Sequence, residues 1–427
     1  FCTNKTKRLF PCLLVGVVVF PRSPPRDEII AENNHTKKKG RSPAGCFFRQ
    51  PMKKTKKNSP SKLTIGLLYG GRSGEHDVST CSAASVASAL DKSRYKVIAI
   101  GIDRDGRWYV QSRPEIVSHQ DFGKVLKLQK TGTWLVNHFE RYGRLYLCNL
   151  EDGGKRVAVD VVFPVLHGTY GEDGTVQGLL ELAMVPYVGA DVTGSAVGMD
   201  KDIAKRLLRD AGIPVVPWIT VSRHDWQQRP KKIIDMAAKE LRPPFFVKPV
   251  CAGSSVGVVK VKTKKELPGA LRYAFEFGTH VMIETGIDCR EIECSVLGND
   301  KPQASILGEI IPTHEFYSYE AKYLDPEGAK MNIPAKIPSR LATAIRKCAV
   351  AGYQALNCSS MARVDFFLDK NTGEFYLNEV NTLPGFTSIS MYPKLWAATG
   401  LAYPQLLDRL IELALERHSI KKTIKTD

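Results

Sequence analysis

The sequence predicts an α/β protein built from several packed units behind a basic tail. From Leu63 onward, short apolar runs typical of buried strands alternate with helical segments. This alternation breaks near Ala190, where paired strands begin. With 427 residues, 43% of them hydrophobic, the chain can form two or three domains. We expect a disordered basic tail over 1–60 and α/β domains over 61–189, 190–285 and 286–418.

The first domain has the pattern of a parallel sheet flanked by helices. LTIGLLYGG, KVIAIGID and VAVDVVFPVLHG predict its main strands, and VPYVGA predicts a further short one. Two helices are predicted in this domain. The first is SAASVASAL, with Ser79 or Thr80 as its N-cap, and the second is VQGLLELAM. Asp105-Gly106 marks a hairpin turn.

A different order of elements follows. DKDIAKRLLRDAG predicts a helix that stops at Gly212, with Pro214 just beyond. FFVKPV and VGVVKVK predict strands around a Gly/Ser turn, and VMIETGI and EIECSVLG predict two more. ARVDFFLD and EFYLNEVN predict a hairpin. YPQLLDRLIELALERH has apolar residues three and four apart, which predicts an amphipathic helix.

Positive charge is concentrated in the tail. Of the net charge of +17, residues 1–60 supply 14 Lys and Arg against three acids. A short basic segment followed by the apolar run Leu9–Phe20 resembles a signal peptide. The run is too short to span a bilayer, however, and no small-residue cleavage site precedes Pro21. We favour a translation start at Met52. An export segment and a nucleic-acid-binding arm are the alternatives.

Cysteine usage is typical of a reduced, cytoplasmic protein. The ten Cys include no CxxC pair and no Cys/His pair at zinc spacing. The sequence contains no run of about 18 apolar residues, so it predicts no membrane-spanning helix. We therefore expect neither a membrane nor a nucleic acid as a partner.

The segment GSSVG at 253–257 is a candidate phosphate loop. Glycines allow the backbone to approach a ligand, and N–H groups with the hydroxyls of Ser254 and Ser255 suit phosphate oxygens. Lys248, at the end of the preceding strand, would add a positive charge. A flexible hairpin explains the same residues, since no GKS/T follows the glycines as in a Walker sequence.

Acidic and amide side chains mark the C-terminal hairpin as a candidate Mg²⁺ site. Residues two apart on a strand share a face, as Arg363 does with Asp365, and Glu379 with Asn381. Carboxylate and amide oxygens are ligands that Mg²⁺ prefers. The alternative is a cross-strand salt bridge between Arg363 and an acid. We favour the metal, because unpaired acids in an apolar hairpin would be costly.

Two further acids lie near the boundary between the second and third domains. Glu284 ends the apolar strand VMIE, and Glu291 follows seven residues later. A strand-end acid at such a junction can accept hydrogen bonds from adenine or ribose. As isolated residues, both would more often be solvated surface acids.

Together these segments resemble the D-alanine–D-alanine ligase family of the ATP-grasp superfamily. The resemblance runs from about Lys62 to about Leu415 and rests on eight motifs in order: GGRSGEHDVS, HGTYGEDGTVQG, MDKDIAK, FFVKP, GSSVG, YEAKY, ARVDFF and NEVNTLPGFTSIS. It implies an α/β ATP-grasp fold of three domains, with nucleotide bound between the central and C-terminal sheets. It also implies an ATP-dependent ligase that forms D-alanyl-D-alanine through an acyl phosphate for peptidoglycan synthesis.

The resemblance implies roles for the matching residues. ATP would be bound by Lys201, Lys248, Ser254, Ser255, Glu284, Glu291 and Lys322, with the two acids at adenine and ribose and Lys322 at the transferred phosphate. Two Mg²⁺ ions, for which Mn²⁺ can substitute, would be held by Asp365, Glu379 and Asn381. D-alanine would be bound by Glu75, His167, Arg363, Gly385 and Ser390, with Arg363 and the Gly385 N–H at the oxyanion.

A lid and a product preference also follow from the resemblance. The segment 317–331 would shield the acyl phosphate from water, tied down through Glu75, Ser254 and Tyr323. These three residues, with Arg363 and Ser390, form the implied catalytic set. Relatives that make a D-alanine–D-lactate ester tend to carry Phe at the position of Tyr323, so Tyr favours the dipeptide. A homodimer is expected by analogy.

Departures from the family pattern occur at Ala252, Thr285 and Ser359, and none removes a residue with a named chemical role. Thr285 stands where several relatives have Lys, so one contact on the adenine side is in doubt.

Other interpretations stay open. His167 could be a structural histidine, Glu75 could cap the next helix, and Tyr319 and Tyr323 could be packing aromatics. For the whole protein, the alternatives are an ATP-grasp ligase for another amino or hydroxy acid, a nucleic-acid-binding protein that uses the tail, and an inactive relative.

Overall fold

Three sheets with helices packed on them organise the chain in the computed structural model, which describes residues 62–132, 134–137, 143–312 and 329–425. The expected tail over 1–60 and most of the expected lid lie outside these residues. The mixed α/β architecture predicted from the sequence is confirmed.

The first sheet has the strand order β3-β2-β1-β9, formed by Trp108–Val110, Tyr95–Ile102, Leu63–Gly70 and Val161–Pro164. β1 pairs in parallel with both β2 and β9, as predicted. β3 is antiparallel to β2 and follows the predicted hairpin turn, where Gly106 has φ 88°. Most of β1 is buried, because its alternate side chains enter core clusters on opposite faces of the sheet.

Three local predictions for this region were wrong. Helix α1 spans His76–Ala89 and begins before Ser79, whose hydroxyl instead accepts a hydrogen bond from the Gly70 N–H at 2.8 Å. VPYVGA forms only one β-bridge, between Val162 and Tyr187. The predicted third strand divides in two, because its first half pairs in a separate sheet.

The second sheet is antiparallel, with the order β10-β13-β11-β12, formed by Trp218–Ser222, His280–Thr285, Phe245–Pro249 and Val259–Val261. The third sheet has the order β16-β15-β14-β17-β18, formed by Ala329–Asn332, Gln303–Pro312, Cys289–Leu297, Met361–Asp369 and Phe375–Asn381. Its β17–β18 hairpin agrees with the prediction. Two small sheets pair β4 (Ile116–His119) with β5 (Gly123–Leu126), and β6 (Trp134–Asn137) with β7 (Leu145–Asn149) and β8 (Arg156–Val159).

The remaining helices are α2 (Thr175–Leu182), α3 (Val192–Met199), α4 (Lys201–Asp210), α5 (Arg223–Gln228), α6 (Pro230–Glu240), α7 (Leu267–Ala274), α8 (Ser339–Ala355), α9 (Met391–Thr399) and α10 (Tyr403–Lys421). No helix of the described ranges is both long and apolar enough to cross a bilayer.

Helix α4 is held at both ends by local chemistry. The Asp200 side chain caps it by accepting hydrogen bonds from the N–H groups of Asp202 and Ile203. The predicted stop at Gly212 is observed, with φ 73°. The buried face of α4 joins the core of the third sheet through Ala204 and Leu208. The predicted domain bounds remain a prediction.

The C-terminal helix α10 returns to the first sheet. Its buried leucines share a core with β1, α1 and α9. Tyr95 donates a hydrogen bond to Asp408 at 2.8 Å, and Arg417 donates one to the carbonyl of Tyr187 at 2.9 Å. Contacts of the C-terminal helix with the N-terminal part of the described chain therefore stabilise the first sheet.

Replacement of Leu208 by Ala should lower the free energy of unfolding by about 2–5 kcal/mol, because it leaves a cavity in the core of the third sheet. The side chain is 0% exposed, and Ala is itself a strong helix former. Urea denaturation measures the effect. Leu207, 39% exposed on the same helix, is the matched control, and its change to Ala should cost less than about 1 kcal/mol. Equal losses in the two variants would contradict the packing described.

Candidate active site

One arginine and three carboxylates meet where β14, β17 and β18 run side by side. The register places Glu293 on β14 and Glu379 on β18 on either side of Asp365 on β17. Arg363 donates two hydrogen bonds to Asp365, from Nε to Oδ1 at 2.7 Å and from Nη2 to Oδ2 at 2.6 Å. Its Nε also lies 3.1 Å from Oε2 of Glu293. The ion pairing proposed as the alternative to a metal is thus present.

The ion pairing does not use up the negative charge of this cluster. Burial disfavours the Arg363 guanidinium charge, but Asp365 and Glu293 raise the pKa of Arg363 above its usual value. The arginine therefore stays charged, and Lys201, 3.9 Å from Glu379, adds a second positive charge, so that among the described residues two cations face three carboxylates. The remaining charge favours a bound cation or a cationic ligand.

The donor set of the β17–β18 hairpin fits a hard cation. The amide Nδ2 of Asn381 donates to Oδ2 of Asp365 at 3.0 Å, and the amide oxygen is of the ligand type that a hard cation prefers. The Glu379 side chain is 31% exposed. In the described ranges, no group of three or more His, Cys, Asp or Glu side chains is arranged for a metal. A cation here would therefore depend on the amide and on oxygens of its ligand, as Mg²⁺ commonly does with phosphates.

Lys201, the first residue of α4, links this hairpin to the segment before GSSVG. Its Nζ donates a hydrogen bond to the carbonyl of Ala252 at 2.7 Å and lies 3.9 Å from Oε2 of Glu379. The cap at Asp200 holds the helix start that carries this lysine. Three separate elements therefore present a lysine, a Gly/Ser loop and carboxylates to one site.

Glu284 is buried between two lysines. Its side chain is almost inaccessible, so the alternative of a solvated surface acid is wrong. Oε2 lies 2.6 Å from Nζ of Lys248, and Oε1 accepts a hydrogen bond from Lys205. Burial opposes the carboxylate charge, but Lys248 and Lys205 more than offset it and lower the pKa of Glu284 to about 2. Both oxygens predicted to face adenine or ribose are thus engaged by ammonium groups.

The GSSVG loop contacts the first glycine-rich segment. Ser254 and Ser255 adopt left-handed backbone conformations, with φ 49° and 60°, which non-glycine residues rarely do. The Ser254 hydroxyl donates a hydrogen bond to Oε1 of Glu75. Glu75 stands at the N-cap of α1, but its side chain makes no capping hydrogen bond there. Its carboxylate is therefore directed at the loop rather than at the helix.

His167 is hydrogen-bonded through both ring nitrogens. Nδ1 lies 3.0 Å from the carbonyl of Leu383, and Nε2 lies 2.9 Å from the hydroxyl of Ser82. A carbonyl only accepts, so Nδ1 carries the proton and Nε2 accepts from Ser82. Burial lowers the pKa of His167, although Glu75 opposes the shift. The neutral ring connects the first sheet to the loop after β18, and any contact with a substrate would be made from this bonded position.

Two predicted substrate residues adjoin in the loop after β18. Oγ of Ser390 accepts a hydrogen bond from the Thr387 N–H at 3.0 Å. A Cβ added to Gly385 would lie only 2.7 Å from this Oγ, so a side chain at 385 would displace Ser390. The loop therefore presents the Ser390 hydroxyl close to the Gly385 backbone.

The other predicted residues lie on β14 or outside the described ranges. Glu291 lies on β14, half-buried, opposite Ile310 and Phe367. Lys322, Tyr323 and most of the lid lie outside the described residues.

Three titratable residues near the site were missed in the sequence. Lys205 comes four residues after Lys201, which places both on one side of α4, and that spacing could have indicated it. Glu293 lies two residues after Glu291 on one strand. Burial and the nearby Glu75 raise the pKa of Glu172 well above its usual range, and Glu172 also feels the charge of Arg363. It lies within the HGTYGEDGTVQG motif, but no spacing singled it out.

The arrangement can bind a polyanion beside a cation. Lys201 and Lys248 supply positive charge, and Ser254 and Ser255 supply hydroxyls on a tight turn. Asp365 and Glu379 lie next to them. This combination suits a nucleotide whose phosphates share a metal with the protein.

Comparison with known proteins places the chain among ligases. Residues 64–190 match the family described as D-ala D-ala ligase N-terminus, and residues 207–412 match D-ala D-ala ligase C-terminus. The chain is 48% identical over 367 residues to D-alanine–D-alanine ligase A of Escherichia coli (strain K12), which covers 86% of this chain and 99% of that protein.

Solved structures agree with this result. The structure of the D-alanine–D-alanine ligase from Coxiella burnetii is similar with a TM-score of 0.69 and 38% identity, covering 84% of this chain and 96% of that one. The VanG D-Ala:D-Ser ligase from Enterococcus faecalis is similar with a TM-score of 0.70 and 36% identity, covering 83% and 100%.

Replacement of Glu284 by Gln should remove a pH-dependent part of the stability. The pKa of this carboxyl is about 2 in the folded protein against 4.5 ordinarily, so its contribution is complete above about pH 4.5 and is lost as the pH falls toward 2. At pH 7 we expect the free energy of unfolding to fall by about 3 kcal/mol or more, because two buried ammonium groups lose their shared partner.

Urea denaturation of both proteins between pH 7 and pH 3 measures this difference, which should shrink in acid. Glu412, with a side chain 49% exposed on α10, is the control, and its change to Gln should have an effect below about 1 kcal/mol. A difference between wild type and Glu284→Gln that stays constant down to pH 3 would count against the buried ion cluster.

Proposed function

The chain belongs to the D-alanine–D-alanine ligase family, and from that premise we propose which side chains carry each step. The protein is an ATP-dependent ligase that joins two molecules of D-alanine in peptidoglycan synthesis. A carboxylate is a poor electrophile, so ATP first converts the first D-alanine to an acyl phosphate. The amine of the second D-alanine then attacks, and phosphate leaves. Each proposed role must serve one of these two steps.

The position of Lys201 is the observation that supports the proposal best. Its Nζ lies between the carbonyl of Ala252 and the carboxylate of Glu379. A triphosphate bound there contacts the GSSVG loop on one side and the acidic hairpin on the other. Lys201 and Lys248 neutralise its charge, and Ser254 and Ser255 line the turn. Glu284 and Glu291 are proposed on the adenine and ribose side, and Lys322 at the transferred phosphate.

We propose that two Mg²⁺ ions, replaceable by Mn²⁺, bind through Asp365, Glu379 and Asn381. When bound, the ions spread the charge of the phosphoryl group during its transfer. The two carboxylates lie opposite one another across the β17–β18 pair, which keeps their separation constant. Arg363 donates a hydrogen bond to each oxygen of Asp365 and so orients that carboxylate.

The first D-alanine is proposed to place its ammonium at Glu75 and to lie beside His167. Glu75 is nearly buried, so its charge is only weakly screened by water. Its hydrogen bond from Ser254 keeps it directed toward the nucleotide loop. The neutral ring of His167 is hydrogen-bonded through both nitrogens and forms a rigid side of the proposed substrate site.

The second D-alanine is proposed to place its carboxylate at Ser390. The amine must be neutral to attack, and Glu75, which accepts a hydrogen bond from Ser254, is proposed to accept its proton. The tetrahedral oxyanion is held by the Gly385 N–H and by Arg363. The guanidinium directs Nε and one N–H of Nη2 at acids, so the N–H groups of Nη1 serve the oxyanion.

We further propose that Tyr323 joins Glu75 and Ser254 to close the segment 317–331 over the acyl phosphate.

We also propose a homodimer, by analogy with the family, in the cytoplasm, where ATP is available. Sedimentation velocity tests the dimer, and a monomer across micromolar concentrations would contradict it.

Phosphate release from ATP should require D-alanine and Mg²⁺, and L-alanine should not replace D-alanine, because the ligases that the chain resembles are named for the D-isomer. A coupled phosphate assay measures this. With D-alanine, D-serine and D-lactate offered together, we expect D-alanyl-D-alanine to exceed the mixed products at least about tenfold, the discrimination that 1.4 kcal/mol supplies. A larger yield of a D-serine or D-lactate product, resolved by mass spectrometry, would refute the assigned preference.

Replacement of Asp365 or Glu379 by Ala should lower kcat by roughly a hundredfold or more, because the transferred phosphoryl group loses charge stabilisation. Circular dichroism should show a retained fold. Glu374→Ala is the control on the same hairpin, since Glu374 is exposed and its side chain bonds only Tyr376 in the described contacts. Its turnover should match that of wild type. Unchanged turnover in either acidic-site variant would refute the metal assignment.

A further inference from the structure

Lys205 is a buried lysine that the roles above do not use. It lies one turn after Lys201 on α4 and is 1% exposed. Its Nζ donates hydrogen bonds to Oε1 of Glu284 and, at 2.9 Å, to the carbonyl of Val216. It also lies 5.1 Å from the centre of the Trp218 ring. Two acceptors and a ring face form an environment for a charged ammonium.

Lys205 and Lys248 divide one carboxylate between them. Each binds a different oxygen of Glu284, and both interactions are largely removed from water. Lys and Glu side chains are almost never fully buried unless they are paired. Replacing such a cluster with apolar side chains is often neutral for stability, so stability alone is a weak reason for it.

The charges of the cluster suggest another reason. Two ammonium groups and one carboxylate leave one net positive charge at the place proposed for the nucleotide. Without Lys205, the Glu284 carboxylate would cancel the charge of Lys248. Both carboxylate oxygens would then also compete for the N–H groups of Lys248 that a phosphate needs.

We propose that Lys205 is a positioning residue for nucleotide binding, which neutralises Glu284 so that the charge of Lys248 acts on the phosphates. In this assignment both lysines hold the Glu284 carboxylate as a counter-ion, and each of its oxygens keeps a further lone pair for the adenine side proposed above. The inference rests on the proposed nucleotide site and adds Lys205 to it.

Lys205→Met removes the charge and keeps the length of the side chain. The KM for ATP should rise roughly tenfold to a hundredfold, as expected for one charge lost near a polyanion in a poorly solvated site. The kcat at saturating ATP and the KM for D-alanine should stay within about threefold. Lys205→Arg should restore the KM for ATP to within about threefold of wild type. The control Arg206→Met changes an exposed cation on the same helix and should leave all three constants unchanged.

The double variant Lys205→Met/Glu284→Gln tests the charge argument directly. It removes one charge of each sign, so Lys248 keeps its net effect. We expect isothermal titration with ADP and Mg²⁺ to give a Kd within about threefold of wild type. A double variant that binds ADP tenfold or more weakly than wild type would overturn the proposal, because restoring the charge balance would then fail to restore binding. This comparison also decides the matter if Lys205→Met alone does not fold.

Two other results would overturn the inference. One is an unchanged KM for ATP in a folded Lys205→Met. The other is a Lys205→Arg variant that binds nucleotide no better than Lys205→Met. Failure of the proposed function is seen separately, as wild-type protein that binds ADP but releases no phosphate with D-alanine.

Discussion

The site depends on pairing charges that are removed from water. A buried ion without a partner costs several kcal/mol, so each charged group must meet its counter-ion at a defined distance. Arg363 meets this condition against Asp365 and Glu293, and Glu284 meets it against Lys205 and Lys248. The first cluster has surplus negative charge and the second has surplus positive charge. A nucleotide with its metal is the kind of ligand that complements both.

The strands and helix α4 hold these charged side chains in fixed relative positions. Asp365 and Glu379 face one another because two adjacent strands share a register, and Glu293 joins them from the third strand. Lys201 and Lys205 follow one another by a helical turn, on a helix whose start is capped by Asp200. The backbone hydrogen bonds of strands and helix thus set the geometry before any ligand binds, which is the preorganisation that charge stabilisation requires.

Hydrogen bonds between segments that are distant in sequence place the proposed substrate-binding residues next to the nucleotide site. Glu75 binds Ser254, and His167 binds the carbonyl of Leu383. The first tie connects the glycine-rich segment after β1 to the nucleotide loop, and the second connects the end of the first sheet to the loop that presents Ser390. Each bond is buried or partly buried, so its loss would leave a polar group without water or partner. Stability and substrate alignment therefore depend on the same contacts.

The sequence by itself determined the alternation of strands and helices, the hairpin that carries Arg363 and Asp365, the stop of α4 at Gly212 and the family. Periodicity, turn residues and ordered motifs are local signals, and they survive without knowledge of the fold. Only the tertiary structure decided that Glu284 is buried between two lysines, that Lys205 and Glu172 belong to the site, and that both nitrogens of His167 are bonded. These facts depend on which side chains from distant segments exclude water around a charge, and no local pattern encodes that.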